Sequence, residues 1–114
     1  MSAMQLDEPP GALWFDGVRY HVPSGSRPHI TYLVELTDYG CNGSCQCESF
    51  QFDLGPLLAR RMSPAQAVEQ KLVKIKKGTL VEDALRCPHI ISARRTFAQE
   101  VLVAITRKFK RSRT

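Results

Sequence analysis

The chain has 114 residues, about one domain, which excludes tandem enzyme domains and repeat arrays. Hydrophobic residues make up 43% and charged residues 24%, too apolar a mixture for a wholly disordered chain. The net charge of +5 joins two unlike halves: residues 1–57 carry Arg19 and Arg27 against seven carboxylates, and residues 58–114 carry 14 Lys and Arg against four.

That asymmetry points to a polyanionic partner, although solvated helices with a basic end carry the same composition. No apolar run approaches the roughly 18 residues of a membrane span. The start, Met1-Ser2-Ala3-Met4-Gln5-Leu6-Asp7-Glu8, has neither the basic nor the apolar region of a secretory signal. The expected location is intracellular, cytoplasmic or nucleoid/nuclear, with no membrane partner.

Residues 1–15, with Pro9-Pro10-Gly11, lack periodicity and read as a flexible arm. After the turn signal Asp16-Gly17, Val18, Tyr20 and Val22 alternate with Arg19 and His21, as in a half-buried strand. The turn residues from Pro23 to Pro28 lead to a second alternation, Ile30, Tyr32, Val34 and Leu36 against Thr31, Leu33 and Glu35, so residues 18–36 form an expected antiparallel hairpin. Another turn, Tyr39 to Ser44, precedes a possible third strand over residues 45–52.

After Gly55-Pro56 the period changes. Ser63-Pro64-Ala65-Gln66 is a capping box, predicting a helix to about Lys77 with Ala65, Val68, Leu72 and Ile75 on one stripe and Gly78 as its stop. Thr79-Leu80-Val81-Glu82 opens a short helical turn. Pro88 starts a long helix to about Phe109, with Ile90, Ile91, Ala93, Phe97, Ala98, Val101, Leu102, Ile105 and Phe109 on a broad apolar face. Arg94 falls inside that face, where it either snorkels to solvent or faces a metal site.

Four cysteines in an intracellular chain favour metal binding or buried thiols over disulfides. Cys45-Gln46-Cys47 offers two thiols, and Cys87-Pro88-His89 offers a thiol and an imidazole where the long helix begins. Two such pairs complete the four tetrahedral donors that structural Zn²⁺ prefers. A set using Cys41, or four buried thiols, are the alternatives. His21 and His29 read as structural or solvent-facing, and no constellation suggests catalysis: a metallohydrolase needs an open zinc position that four protein ligands deny.

Cys-x-Cys followed by Cys-x-His resembles the SWIM-type zinc finger. Ser44-Cys45-Gln46-Cys47-Glu48-Ser49-Phe50 is similar to the family's first half, and Cys87-Pro88-His89-Ile90-Ile91-Ser92-Ala93 to its second. The resemblance covers residues 18–52 and 86–109. It implies strands that deliver the first cysteine pair, a helix that delivers the histidine, and a small DNA-binding or protein-binding module. The 39 residues between Cys47 and Cys87 exceed the family's usual connector. Such an insertion is tolerable, because doubling a loop adds only about 0.6 kcal/mol of closure entropy.

The expected architecture is therefore α+β: an antiparallel meander of two or three strands and a long C-terminal helix, joined by a structural Zn²⁺ site at Cys45, Cys47, Cys87 and His89. One domain spans residues 16–109, with a helical insert at 53–86 and a basic tail at 110–114. The expected function is non-enzymatic nucleic-acid binding, DNA more than RNA, through Lys71, Lys74, Lys76, Lys77, Arg107, Lys108, Lys110, Arg111 and Arg113. The alternative is a zinc-stabilised protein–protein interaction adaptor. A small-molecule substrate is not expected.

Overall fold

A computed structural model describes residues 13–27 and 29–112, with the backbone alone described for 109–112. Residues 1–12 of the expected arm and Arg113 lie outside the described residues. The alternating segments form a four-stranded antiparallel meander in the order β1 (Trp14–Phe15), β2 (Tyr20–Pro23), β3 (Thr31–Glu35) and β4 (Ser44–Cys45). Trp14 and Phe15, expected at the end of the arm, instead pair with His21 and Tyr20. The cause is local: Asp16 Oδ1 accepts the backbone N–H groups of Val18 and Arg19, each at 2.8 Å, and closes the hairpin turn.

Opposed residues in an antiparallel sheet share a face, so Tyr20, Val34 and Cys45 form one buried row. The periodicity of β2 and β3 thereby carries the first cysteine to the core. Val18, expected on that face, is 68% exposed because the Asp16 turn occupies its position.

The third strand ends at Cys45 rather than near Phe52. Cys47 explains this: its carbonyl accepts from Gln51 N at 3.0 Å and its Sγ from Phe50 N at 3.4 Å, which coils the chain. A wide π-turn over Phe50–Leu54 follows and continues into α1 (Gly55–Ala59).

The capping box forms as expected, with Ser63 accepting from Gln66 N and the Gln66 side chain accepting from Ser63 N. The helix it starts, α2 (Pro64–Glu69), stops well short of Lys77. Lys71 turns left-handed at φ 60°, its N–H bonds Val68 O, and Leu72 N reaches back to Ala67 O at 2.9 Å, a Schellman ending. Turning the chain there lets Val73 pack against the core, which outweighs the helical period of the next residues. Gly78, expected as a helix stop, sits at φ 89° inside a loop reversal closed by Thr79 N to Lys76 O. The turn after Leu80 is a single 3-10 turn, Val81–Asp83.

The last helix, α3 (Pro88–Ser112), packs on β2, β3 and β4. Ile90 and Ala93 are fully buried against the sheet. Beyond them no described residue covers the expected apolar face: Phe97 is 52% exposed and Leu102 63%. Length is the reason. A helix of 25 residues is about 37 Å long, whereas four strands span only about 19 Å across. The helix also runs through residues 110–112, which were expected as a tail.

Gly43, just before β4, lies tightly against α3. Its φ is +100°, and a Cβ there would lie 2.8 Å from Ile90 Cγ2. Gly43→Ala is therefore expected to cost about 1–3 kcal/mol, from overpacking together with left-handed strain. Chemical denaturation would measure it, and an unchanged midpoint would contradict this packing.

Candidate metal centre

Three local structures deliver the cysteine and histidine side chains. Strand β4 places Cys45 on the core face, and the coil after it turns Cys47 back beside it. The start of α3 places Cys87, the residue just before it, and His89 in its first turn, with Pro88 supplying a helix start that needs no backbone N–H. The ligand atoms of Cys45, Cys47, Cys87 and His89 all lie within 4.8 Å of one another, so the cluster could hold a metal ion. His89 Nδ1 is 3.7 Å from both Cys45 Sγ and Cys87 Sγ. A tetrahedron with metal–sulfur bonds of about 2.3 Å and metal–nitrogen bonds of about 2.0–2.1 Å has edges of about 3.6–3.8 Å, so the two histidine–sulfur distances match such a shell.

A clamp holds the two halves of the cluster together. Buried Asn42 donates from Nδ2 to the carbonyls of Gly43 and Leu85, each at 3.0 Å. Arg86 returns the link, donating from Nε to Asn42 O at 2.9 Å while pairing with Asp83 at 2.6 Å. The turn before β4 is thereby tied to the residues just before Cys87. His89 is further held against Tyr32, with ring centroids 4.8 Å apart.

Backbone amides aim at the sulfurs. Cys45 Sγ accepts from Cys47 N and Cys47 Sγ from Phe50 N, both at 3.4 Å, bonds that favour thiolates. Without a cation the three thiols compete. The hydrogen bond from Cys45, helped by the Ile90 N–H and His89, brings Cys87 down to about 5 against the opposing effect of burial. That same hydrogen bond, with burial, pushes Cys45 up, and burial foremost pushes Cys47 up. A bound cation removes the conflict by favouring all three thiolates.

Cys41, the rival ligand, is exposed and stands outside the cluster. Tyr39, Gly40 and Cys41 are three consecutive left-handed residues, and this turn separates Cys41 from the cluster's chain path. Arg94 neither snorkels freely nor reaches the thiolates. It donates to Cys41 O at 3.0 Å, bracing that turn against α3.

His21, read as structural or solvent-facing, has a carboxylate partner: Asp16 Oδ2 lies 2.7 Å from its Nε2, and Trp14 stacks on its ring at 4.2 Å. The Arg19 N–H, then His21 and the Val18 N–H, hold Asp16 well below the usual carboxylate range. The i, i+5 spacing across a hairpin turn is the signal that identifies this pair. Asn42 left no signal, since its sequence context is only that of a turn.

The basic residues divide into two groups. Lys71, Lys74, Lys76 and Lys77 are exposed but lie on an irregular loop rather than on one helix face. Arg107 and Lys108 are exposed on α3, while Lys110 and Arg111 are placed only by their backbone. Gly78, next to Lys77, lines the same groove as Arg94 and Arg95, so the lysine loop and α3 border a common surface. No family model, curated protein or solved structure matches the chain.

Proposed function

We propose that the chain is a non-enzymatic module stabilised by Zn²⁺ at Cys45, Cys47, Cys87 and His89, and that it binds nucleic acid, DNA in preference to RNA, inside the cell. Three sulfurs and one nitrogen suit Zn²⁺, and four protein donors fill a tetrahedral shell without leaving a position for a reactive water. The likeness to SWIM-type fingers rests on the donor order and on a strand and a helix start delivering the pairs. The observation that carries the nucleic-acid reading is the position of the positive charge. The helix anchored by Cys87 and His89 extends past the sheet into a segment with Arg107, Lys108, Lys110 and Arg111, and the lysine loop borders the groove at its base. Lys and Arg exposed along such a surface attract phosphates and release counterions on contact.

Anisotropy titrations with a fluorescent duplex and with RNA of the same sequence test this. The expected result is weak, largely sequence-independent duplex binding, with the slope of log affinity against log salt becoming more negative by about 0.9 per phosphate neutralised. Truncation after Phe109 and a Lys74→Ala, Lys76→Ala, Lys77→Ala triple variant are each expected to flatten that slope. No binding to either nucleic acid at low salt would reject the reading. The uncovered apolar stripe of α3 favours a second role, as a protein adaptor.

A further inference from the structure

Asn42 is the only asparagine of the chain, and glycine follows it. An asparagine side chain is attacked by its own backbone most readily in an Asn–Gly pair, because glycine has no Cβ to shield its nitrogen or restrict its turning. The step needs no co-reactant but water. The Gly43 nitrogen gives its proton to a solvent base and bonds to Asn42 Cγ, while the Cγ–Nδ2 bond breaks and Nδ2 departs as ammonia, leaving a succinimide ring. Water then opens the ring, to aspartate if the new N–Cγ bond breaks and to isoaspartate if the original peptide bond does. The balance is one water taken up and one ammonia released, with no change of oxidation state.

The folded chain blocks each part of this step. Asn42 is 7% exposed, and its Nδ2 is engaged by the carbonyls of Gly43 and Leu85. The Gly43 N–H is held by Asp38 O at 2.9 Å. Asn42 has helical φ −67° and ψ −40°, and closing the ring requires the Gly43 nitrogen to turn away from that ψ toward Cγ. Ile90 packs against Gly43 and hinders such a turn. Two ties hold this arrangement, and both join the same two segments. Hydrogen bonds connect Asn42 to Leu85 and Arg86, and the donors Cys45 and Cys87 follow Asn42 and Leu85 by three and two residues. A bound cation therefore keeps the clamp shut, and its loss leaves hydrogen bonds alone to do so.

We propose that Asn42–Gly43 is a metal-guarded modification site: the loaded chain keeps the amide, and loss of the metal exposes Asn42 to conversion into aspartate or isoaspartate. The proposal rests on the reading of the cluster as a Zn²⁺ site. The conversion is one-way. Either product lacks the amide that donates to the Gly43 and Leu85 carbonyls, and in aspartate an acceptor-only carboxylate takes its place against them. Isoaspartate also adds a carbon to the main chain that leads to Cys45. The converted chain therefore refills its metal site poorly.

In the test the full chain, kept reduced, is divided into a Zn²⁺-loaded portion and a portion stripped by a chelator, and both are incubated at neutral pH. Peptide mass spectrometry follows the Asn42 amide, and released ammonia is assayed beside it. Conversion is expected to be at least about tenfold faster in the stripped portion, since the open fraction of the clamp sets the rate. Loaded Arg86→Ala, which keeps all four donors but loses the bond to Asn42 O, is expected to convert faster than loaded wild type. The converted chain is expected to rebind Zn²⁺ at least about tenfold more weakly than freshly stripped chain, and Asn42→Asp to share the defect. Asp16–Gly17 cyclises by losing water, so its isomerisation leaves the mass unchanged and does not enter the count. Equal rates in the two portions, or an intact amide in both, overturn the proposal, as does a converted chain that regains Zn²⁺ at its original affinity. A chain that takes up no Zn²⁺ at the outset overturns the metal reading and this proposal together, whereas equal rates in a chain that does load overturn this proposal alone.

Discussion

Removing the metal from the purified chain is expected to lower its melting temperature by more than about 20 °C, and restoring Zn²⁺ to reverse the loss. The size follows from two magnitudes. Structural Zn²⁺ contributes an apparent 10–16 kcal/mol or so in finger peptides, and about 1 kcal/mol moves the midpoint of a domain this size by several degrees. The effect is concentrated where the donors join elements: β4, the coil at Cys47 and the first turn of α3. The sheet's buried row shares its core with that junction, since Tyr20, Val34 and Ile90 belong to the same buried cluster as Cys45, Cys47 and Cys87. The capped α2, which supplies no donor, is expected to outlast it. Cys45→Ser, Cys47→Ser and Cys87→Ser should each lose the metal, whereas Cys41→Ser should keep it. Elemental analysis with a thermal melt checks all of this. Less than about half an equivalent of zinc, or an unchanged melt after confirmed removal, would contradict the site.

Metal affinity is expected to rise about a hundredfold per pH unit between about pH 7 and 8, with about two protons released per metal bound. The sign follows from the thiols. Cys87 is lowered to about 5 and is already ionised in this window, so it has no proton to give. Cys45 and Cys47 are both raised, hence protonated, and each must lose its proton to ligate. Acid therefore opposes binding and alkali favours it, until the raised thiols ionise unaided. Competition titrations with a chelator of known affinity measure the slope, and a pH indicator in weak buffer counts the protons. A release near three would mean that the metal-free chain does not hold the Cys87 thiolate, and a flat profile would exclude thiolate ligation.

The residues at the cluster were legible in the sequence because each pair is local. A single residue separates Cys45 from Cys47 and Cys87 from His89, and Pro88 announces the helix start that carries the second pair. The Ser63 capping box was legible for the same reason, since every partner it needs lies within three residues. What ended α2 was not local. Lys71 accepts a left-handed conformation because the chain beyond it gains core contacts through Val73, and a helical stripe written in the sequence carries no record of that competition.

The α+β class, the hairpin alternation, the helix starts and the two local Cys/His pairs were thus determined by the sequence alone, through spacings that local backbone geometry converts directly into structure. The tertiary structure alone decided which donors converge, by clamping Asn42 to Leu85 and Arg86 across 43 and 44 residues and leaving Cys41 outside. It also decided that, among the described residues, nothing covers the apolar positions on the outer half of α3. Periodicity marks a face that is apolar, but burial requires a partner surface as long as the helix, and the sheet of this chain is too narrow to supply one.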